Sequence, residues 1–115
     1  METQYQYLAF GAVIALLGLK FWRLKQTQKK VAEFMKQNAI IIDVRSVEEF
    51  NQAANPKSQN IPLDTLNEAC KKLDKTKPII VCCASGMRSS MAQSLLKRQG
   101  FTNVVNAGPW TKTLD

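Results

Sequence analysis

The chain has 115 residues, a formal net charge of +7, three cysteines and no histidine. This length accommodates one small domain and a short appendage. The lack of histidine excludes Cys-His dyads, Ser-His-Asp triads and His-ligated metals, and three cysteines do not fit a four-ligand zinc site, so we expect neither a metal nor a cofactor.

An apolar segment without charges lies near the start of the chain, from Tyr7 to Leu19. A helix from Tyr5 to Trp22 would be about 27 Å long, enough to span a bilayer if Lys20 extends to the interface. Aromatic residues at both ends are typical of interfacial belts. A cleaved signal peptide is disfavoured, because no basic residue precedes the segment and no small-residue cleavage site follows it. A core helix of a soluble domain is the remaining alternative.

Basic residues follow this segment: Lys20, Arg23, Lys25, Lys29 and Lys30. The positive-inside rule then predicts a single-pass protein of the inner, cytoplasmic membrane, with the folded domain in the cytoplasm. We therefore divide the chain into an N-terminal transmembrane helix with its basic flank, residues 1–24, and a folded domain, residues 25–115. Basic and aromatic residues are not interleaved as in a nucleic-acid surface, so we expect no nucleic-acid partner.

Helices and strands alternate in the remainder of the chain. Helices are predicted over Val31–Gln37, from the N-cap Ser46 through Phe50 with Glu49 completing a capping box, over Thr65–Lys72 with Asp64 as N-cap, and over Met87–Gln99 with Met91, Leu95 and Leu96 inward. Strands are predicted over Ala39–Val44, Gln59–Ile61, Pro78–Cys82 and Val104–Asn106. This alternation indicates an α/β fold with a parallel sheet flanked by helices.

A cysteine follows the strand Pro78–Cys82 and opens a short loop. Cys83 is followed by Ala84, Ser85, Gly86, Met87 and Arg88, where a helix begins. Loop N–H groups and the positive end of the helix should lower the pKa of the Cys83 thiol below its free value of about 8.5. Arg88 adds a cation and can also brace the loop against a carboxylate. Such a thiolate can attack or carry an electrophilic sulfur.

The segment from Cys83 to Ser89, Cys-Ala-Ser-Gly-Met-Arg-Ser, resembles the active-site loop of single-domain rhodaneses, which are sulfurtransferases. Ile41–Arg45 with Glu48-Glu49-Phe50, and then Asn60–Leu63, is similar to the first signature of that family, and Asn106–Trp110 resembles its closing segment. The resemblance covers residues 28 to 114. It departs from the family at Ala53–Ser58, which keeps only the proline of the usual Gly-His-Ile-Pro-Gly-Ala, and at Ala84, where some thiosulfate-using members carry a basic residue.

The resemblance implies a rhodanese-like fold and a sulfurtransferase in which Cys83 accepts a sulfane sulfur as a persulfide. The donor and the thiophilic acceptor are small molecules or proteins. Arg88 would act with Cys83, and the loop residues Ala84, Ser85, Gly86, Met87 and Ser89 would bind the persulfide. Asp43 and Arg45 would lie near the site as a supporting ion pair. Cys82 faces the opposite side of its strand, and Cys70 lies on an apolar helix face, so both are expected in the core.

Two alternatives stay open. Cys82 and Arg88 have the Cys-x5-Arg spacing of cysteine phosphatases and arsenate reductases, although Val81 occupies the position of the usual histidine and the gap after Cys83 makes a tighter cradle. The second alternative is a non-catalytic, membrane-tethered domain that binds or regulates through the same pocket. The presence of both Cys83 and Arg88 argues against it.

Overall fold

The computed structural model describes residues 2–114. Their helices are α1 (Glu2–Lys36), α2 (Val47–Gln52), α3 (Leu63–Ala69) and α4 (Met87–Arg98). Their strands are β1 (Ile40–Asp43), β2 (Gln59–Asn60), β3 (Ile79–Cys83) and β4 (Val104–Pro109). Two 3-10 turns, Cys70–Lys72 and Trp110–Thr113, follow α3 and β4.

The four strands form one parallel sheet in the order β2-β1-β3-β4. All five residues of β3 are buried, as expected of a central strand covered by helices on both faces. Register places Asp43 beside Cys82, and Cys83 beside Pro109, so the carboxyl ends of β1, β3 and β4 meet at one edge. The predicted α/β fold with a parallel sheet is confirmed. Such sheets place their sites at this edge.

Two hydrophobic clusters cover the two faces of the sheet. Ile79, Val81 and Cys83 of β3 pack on the side of α3 and α4. Ile80 and Cys82 pack on the side of α1, which contributes Val31 and Phe34. This alternation follows from the two-residue period of a strand. The predictions that Cys82 faces away from Cys83 and that Cys70 is buried in the core are confirmed.

Helix α1 runs without interruption across the predicted domain boundary between residues 24 and 25. The predicted helix Val31–Gln37 forms its last turns, and α1 ends where Asn38 adopts a left-handed φ of 57°. Among residues 2–114, α1 alone is long and apolar enough to cross a membrane, and none of its most apolar eighteen-residue stretch is buried against the domain. In the part of the chain that the structure describes, the apolar half of α1 lies outside the hydrophobic core.

Two local predictions are wrong. Asp64 does not cap α3, because the helix already begins at Leu63, where the backbone N–H of Leu63 donates to the carbonyl of Val44. Met91 does not face inward but is 62% exposed. The buried stripe of α4 consists of Ser89, Ala92 and Leu96. Ser89 and Ala92 are small and allow close packing on the sheet. The predicted end of α4 at Gly100 is confirmed by its φ of 99°.

Candidate active site

The loop after β3 wraps around the sulfur of Cys83. Gly86 is the N-cap of α4, and its φ of 106° lies in the left-handed region that favours glycine. A Cβ at this position would also lie 3.4 Å from the Cα of Gly108, so the loop packs closely on the end of β4. In this conformation the N–H of Gly86 donates to Cys83 Sγ at 2.9 Å. The loop therefore directs a backbone donor at the sulfur.

Ser89, in the first turn of α4, contributes a side-chain hydrogen bond to the sulfur. It is fully buried, and its Oγ lies 3.3 Å from Cys83 Sγ and 3.1 Å from the carbonyl oxygen of Gly86. A hydroxyl has one proton and two lone pairs. Ser89 can accept from the thiol while donating to Gly86, and it can donate to the sulfur once the thiol has lost its proton. The same side chain thus satisfies both protonation states.

The pKa values of the two adjacent cysteines are shifted in opposite directions. Burial alone raises the pKa of the Cys83 thiol, but hydrogen bonds from the Ser89 hydroxyl and from loop N–H groups outweigh it, so the pKa of Cys83 lies below its ordinary value. The N–H groups belong to Ser89, Gly86 and Ser85. Burial, aided by the charge of Asp43, raises the pKa of Cys82 to about 12. At neutral pH, Cys83 is therefore the better nucleophile, which argues against a phosphatase that uses Cys82.

Arg88 forms a forked ion pair with Glu49 of α2. Its two terminal nitrogens lie 2.6 Å and 2.9 Å from the two carboxylate oxygens. Glu49 Oε1 also accepts from the backbone N–H of Ser46 at 3.3 Å, and Ser46 Oγ accepts from the N–H of Glu49 at 3.2 Å, which completes the predicted capping box. Hydrogen bonding to Arg88, and then to Ser46, lowers the pKa of Glu49 to about 2. The predicted bracing of the loop against a carboxylate is confirmed. The sequence did not predict which carboxylate this is, because Glu49 was assigned only to the capping box and to the family signature.

Asp43 and Arg45 form a buried ion pair at the end of β1. Asp43 is fully buried, Arg45 is 5% exposed, and Arg45 Nη2 lies 2.7 Å from Asp43 Oδ2. Arg45 also donates to the carbonyl of Ala53 at 2.7 Å and stacks 5.0 Å from the ring centre of Trp110. The predicted ion pair is thus present. It joins the sheet edge to the segment after α2, and among the described residues neither side chain hydrogen-bonds Cys83 Sγ.

Asn55 holds the segment that departs from the family pattern. Its side chain is 4% exposed and donates to both the carbonyl and the hydroxyl of Thr113 at 3.1 Å. Its Oδ1 accepts from the N–H of Lys57 at 2.9 Å. These bonds secure a loop that lacks the usual glycine and histidine. Sequence analysis missed Asn55, and the Asn-Pro pair at positions 55 and 56 was the available signal for a turn.

Of the predicted loop residues, Gly86 and Ser89 surround the sulfur, whereas the side chains of Ala84, Ser85 and Met87 lie on the outside. Cys83 itself is fully buried. Two cavities flank the loop. The Arg88-side cavity, of about 560 Å³, is lined by residues that include Val44, Glu48, Leu63, Asp64 and Arg88. The Ser85-side cleft, of about 310 Å³, is lined by residues that include Leu24, Gln28, Ser85, Gly108 and Lys112. A substrate in either one reaches the sulfur only if the loop moves.

We expect Ser89→Ala to raise the pKa of the Cys83 thiol more than Arg88→Ala does. The Ser89 hydroxyl can donate to the sulfur once the thiol has lost its proton, whereas the charge of Arg88 is engaged by Glu49. A raised pKa leaves less thiolate at neutral pH, so alkylation of Ser89→Ala by iodoacetamide should be several-fold slower at pH 7 and recover as the pH rises. Ser90→Ala, at the exposed neighbouring position, is the control. A larger shift in Arg88→Ala would mean that the cation activates the thiol.

A family profile described as "Rhodanese-like domain" matches residues 27–108. The chain is 39% identical over 75 residues to the "Putative sulfur carrier protein YrkF" of Bacillus subtilis, covering 62% of this chain and 40% of that protein. It is 38% identical over 69 residues to the thiosulfate sulfurtransferase PspE of Escherichia coli, covering 58% of this chain and 66% of that protein. It therefore spans less than two thirds of either relative.

Among solved structures, the chain is similar to one described as "rhodanese with anions from E. coli". The two share 33% sequence identity with a TM-score of 0.60, over 64% of this chain and 89% of the other. The predicted rhodanese-like fold is confirmed by this likeness together with the sheet described above.

Proposed function

The chain belongs to the rhodanese-like domain family, and we propose that it is a membrane-anchored sulfurtransferase that carries a sulfane sulfur as a persulfide on Cys83. The observation that carries the proposal is a pair of hydrogen bonds at the end of β3, which join Gly86 N–H and Ser89 Oγ to Cys83 Sγ. Hydrogen-bond donors in these positions stabilise negative charge on that sulfur. The relative PspE is a thiosulfate sulfurtransferase, and that activity agrees with this role.

The first half of the reaction forms the persulfide. With thiosulfate as donor, the Cys83 thiolate attacks the sulfane sulfur, a new S–S bond forms, and the S–S bond within thiosulfate breaks as sulfite leaves with the electron pair. In the second half, an acceptor thiolate attacks the outer sulfur of the persulfide. The bond from Cys83 to that sulfur breaks, and its electron pair returns to Cys83 Sγ. No net oxidation occurs, so the cycle needs no cofactor.

The proposed anchor comprises residues 1–24, and the proposed sulfurtransferase domain comprises residues 25–115. In support, large apolar side chains of the first half of α1 are exposed, among them Leu8 at 65%, Phe10 at 67% and Leu16 at 66%. A contiguous apolar surface of this kind needs a membrane or a partner to cover it. The basic residues after it favour a single-pass protein of the inner membrane whose domain, and therefore Cys83, lies in the reducing cytoplasm.

We expect thiosulfate to add one sulfur atom to Cys83, both in the full-length protein in detergent and in a variant that lacks residues 1–24. The truncated variant should be soluble without detergent, because it retains Val31 and Phe34, which complete the core on the α1 side. Intact mass before and after exposure measures the added sulfur, and peptide mapping of alkylated samples locates it among the three cysteines.

Three outcomes would contradict the proposal. Sulfur found mainly on Cys82 would mean that Cys82 is the nucleophile and would favour the cysteine phosphatase alternative, which uses the Cys-x5-Arg spacing. No added sulfur from thiosulfate or from a persulfide donor would favour a non-catalytic binding domain. An unfolded truncated variant would mean that the start of α1 belongs to the domain rather than to an anchor.

A further inference from the structure

The Ser85-side cleft is built largely from parts of the chain at the margins of the matched family segment. One wall comes from α1, with Leu24, Thr27 and Gln28. The opposite wall comes from the active-site loop and from the end of β4, where the chain continues to Lys112. Leu24 and Lys112 lie outside the family match, which covers residues 27–108. The substrate that this cleft binds can therefore differ from the substrates of other members of the family.

The cleft shares its wall with the site around Cys83. Ser85 lines it directly, and so does Gly108. Gly108 packs against Gly86, whose N–H donates to Cys83 Sγ. The loop residues Ser85 and Gly86 thus lie between a molecule in the cleft and the buried sulfur, and the molecule reaches Cys83 Sγ when these two residues move.

Charge distinguishes the cleft from the cavity on the other side of the loop. Lys112 is exposed, forms no ion pair with residues 2–114, and is the charged side chain that lines the cleft. Gln28, beside it, adds an exposed amide. The Arg88-side cavity carries Glu48 and Asp64, and the charge of its arginine is engaged by Glu49. An anion is therefore attracted to the cleft and repelled from the cavity.

We propose that the Ser85-side cleft binds the anionic end of a low-molecular-weight thiol that accepts the sulfur from Cys83, with Lys112 as the group that selects a carboxylate. This inference rests on the proposed sulfurtransferase activity and adds the class of its acceptor. The thiolate of the bound molecule attacks the outer sulfur of the Cys83 persulfide. A new S–S bond forms on the acceptor, the bond to Cys83 Sγ breaks, and the acceptor leaves as a persulfide.

The test compares an anionic acceptor, 3-mercaptopropionate, with a neutral acceptor of nearly the same size, 3-mercaptopropanamide, and each rate is divided by the thiolate fraction of its acceptor. Full-length protein in neutral detergent is first loaded with excess thiosulfate, and intact mass verifies the persulfide before acceptor is added. We expect the wild type to prefer the anionic acceptor in kcat/KM. In Lys112→Glu this preference should fall about fivefold to tenfold, since an exposed ion pair is lost and replaced by repulsion.

Two further variants make the result specific. Gln28→Glu places a negative charge in the same cleft from another element, so the preference should fall there also. Lys97→Glu makes the same charge change about 14 Å along α4 from Arg88, away from the cleft, and should leave the preference unchanged. Equal preference in the wild type, or a drop in Lys97→Glu as large as in Lys112→Glu, would overturn the assignment of the cleft while leaving persulfide formation intact.

Two other outcomes of the same experiments would lead to different conclusions. If the wild type takes up no sulfur, the sulfurtransferase proposal fails, and this inference fails with it. A phospholipid headgroup carries the same negative charge as the proposed acceptor. It would also lie near the cleft, because Leu24 is only two residues beyond Trp22 in the proposed interface. Stronger competition by glycerol phosphate than by propionate, lost in Lys112→Glu, would assign the cleft to a lipid headgroup and overturn the soluble acceptor.

Discussion

Replacing Cys83 with serine is expected to lower sulfur transfer by at least about a thousandfold, as the loss of a covalent nucleophile does in other enzymes. A serine hydroxyl stays protonated at neutral pH and cannot hold a sulfane sulfur as a persulfide. The substitution is nearly isosteric, and the Gly86 N–H and Ser89 Oγ that surround Sγ can hydrogen-bond an oxygen instead. Activity should therefore be lost without loss of the fold. Sulfite release from thiosulfate in the presence of a thiol acceptor measures the rate.

Cys70→Ser is the matched control for this experiment. Cys70 is also buried, at 1% exposure, in the cluster that contains Cys83, and its thiol donates to the carbonyl of Asn67 at 3.3 Å. A serine hydroxyl can make the same hydrogen bond, so the variant should fold and retain most of its activity. Transfer that survives in Cys83→Ser but disappears in Cys82→Ser would show that the nucleophile has been misassigned.

Asp43→Ala is expected to destabilise the domain by about 3–5 kcal/mol, because it leaves the charge of Arg45 buried without its carboxylate. Asp43 is fully buried and accepts hydrogen bonds from both the backbone N–H and the guanidinium of Arg45. A small domain has a total stability of only about 5–15 kcal/mol, so this one substitution removes much of it. The free energy of unfolding in urea, measured on the variant that lacks residues 1–24, tests the expectation.

Glu68→Gln provides the comparison, because it removes the carboxylate from an exposed ion pair. Glu68 and Lys71 lie 3.1 Å apart, with side chains 78% and 62% exposed. Exposed pairs contribute about 0–1 kcal/mol, so Glu68→Gln should change stability little. In the double variant Asp43→Leu with Arg45→Met, no charge stays buried, and part of the stability should return. Equal costs for Asp43→Ala and Glu68→Gln would mean that water reaches Arg45 once the carboxylate is removed.

Local patterns in the sequence predicted the order of the elements and the chemistry of the loop. The alternation of apolar strands and amphipathic helices predicted a parallel sheet, and the short loop from Cys83 to Arg88 predicted a sulfur surrounded by N–H groups. The capping box of Ser46 and Glu49 was also predicted correctly. These features depend on residues within a few positions of one another, where hydrogen-bond geometry and side-chain period leave few alternatives.

Errors arose where local spacing was ambiguous. Asp64 has the chemistry of an N-cap, but a strand-end contact from Leu63 to Val44 starts the helix two residues earlier than the predicted Thr65. Met91 fits the apolar pattern of α4, yet the small residues Ser89 and Ala92 face the sheet instead. In both cases the packing of the helix against the sheet outweighed the local preference.

Contacts between distant residues required the three-dimensional structure. Glu49 pairs with Arg88 across 39 positions, and Asn55 anchors to Thr113 across 58. The strand order β2-β1-β3-β4 sets β1 beside β3 and so brings the first turn of α2, which contains Glu49, next to the first turn of α4, which contains Arg88. The same order leaves the end of β4 facing α1, where Lys112 and Gln28 enclose the Ser85-side cleft. A sequence records which residue types are available for such pairs. Their partners depend on strand order and on helix packing, which arise from the burial of the whole core at once.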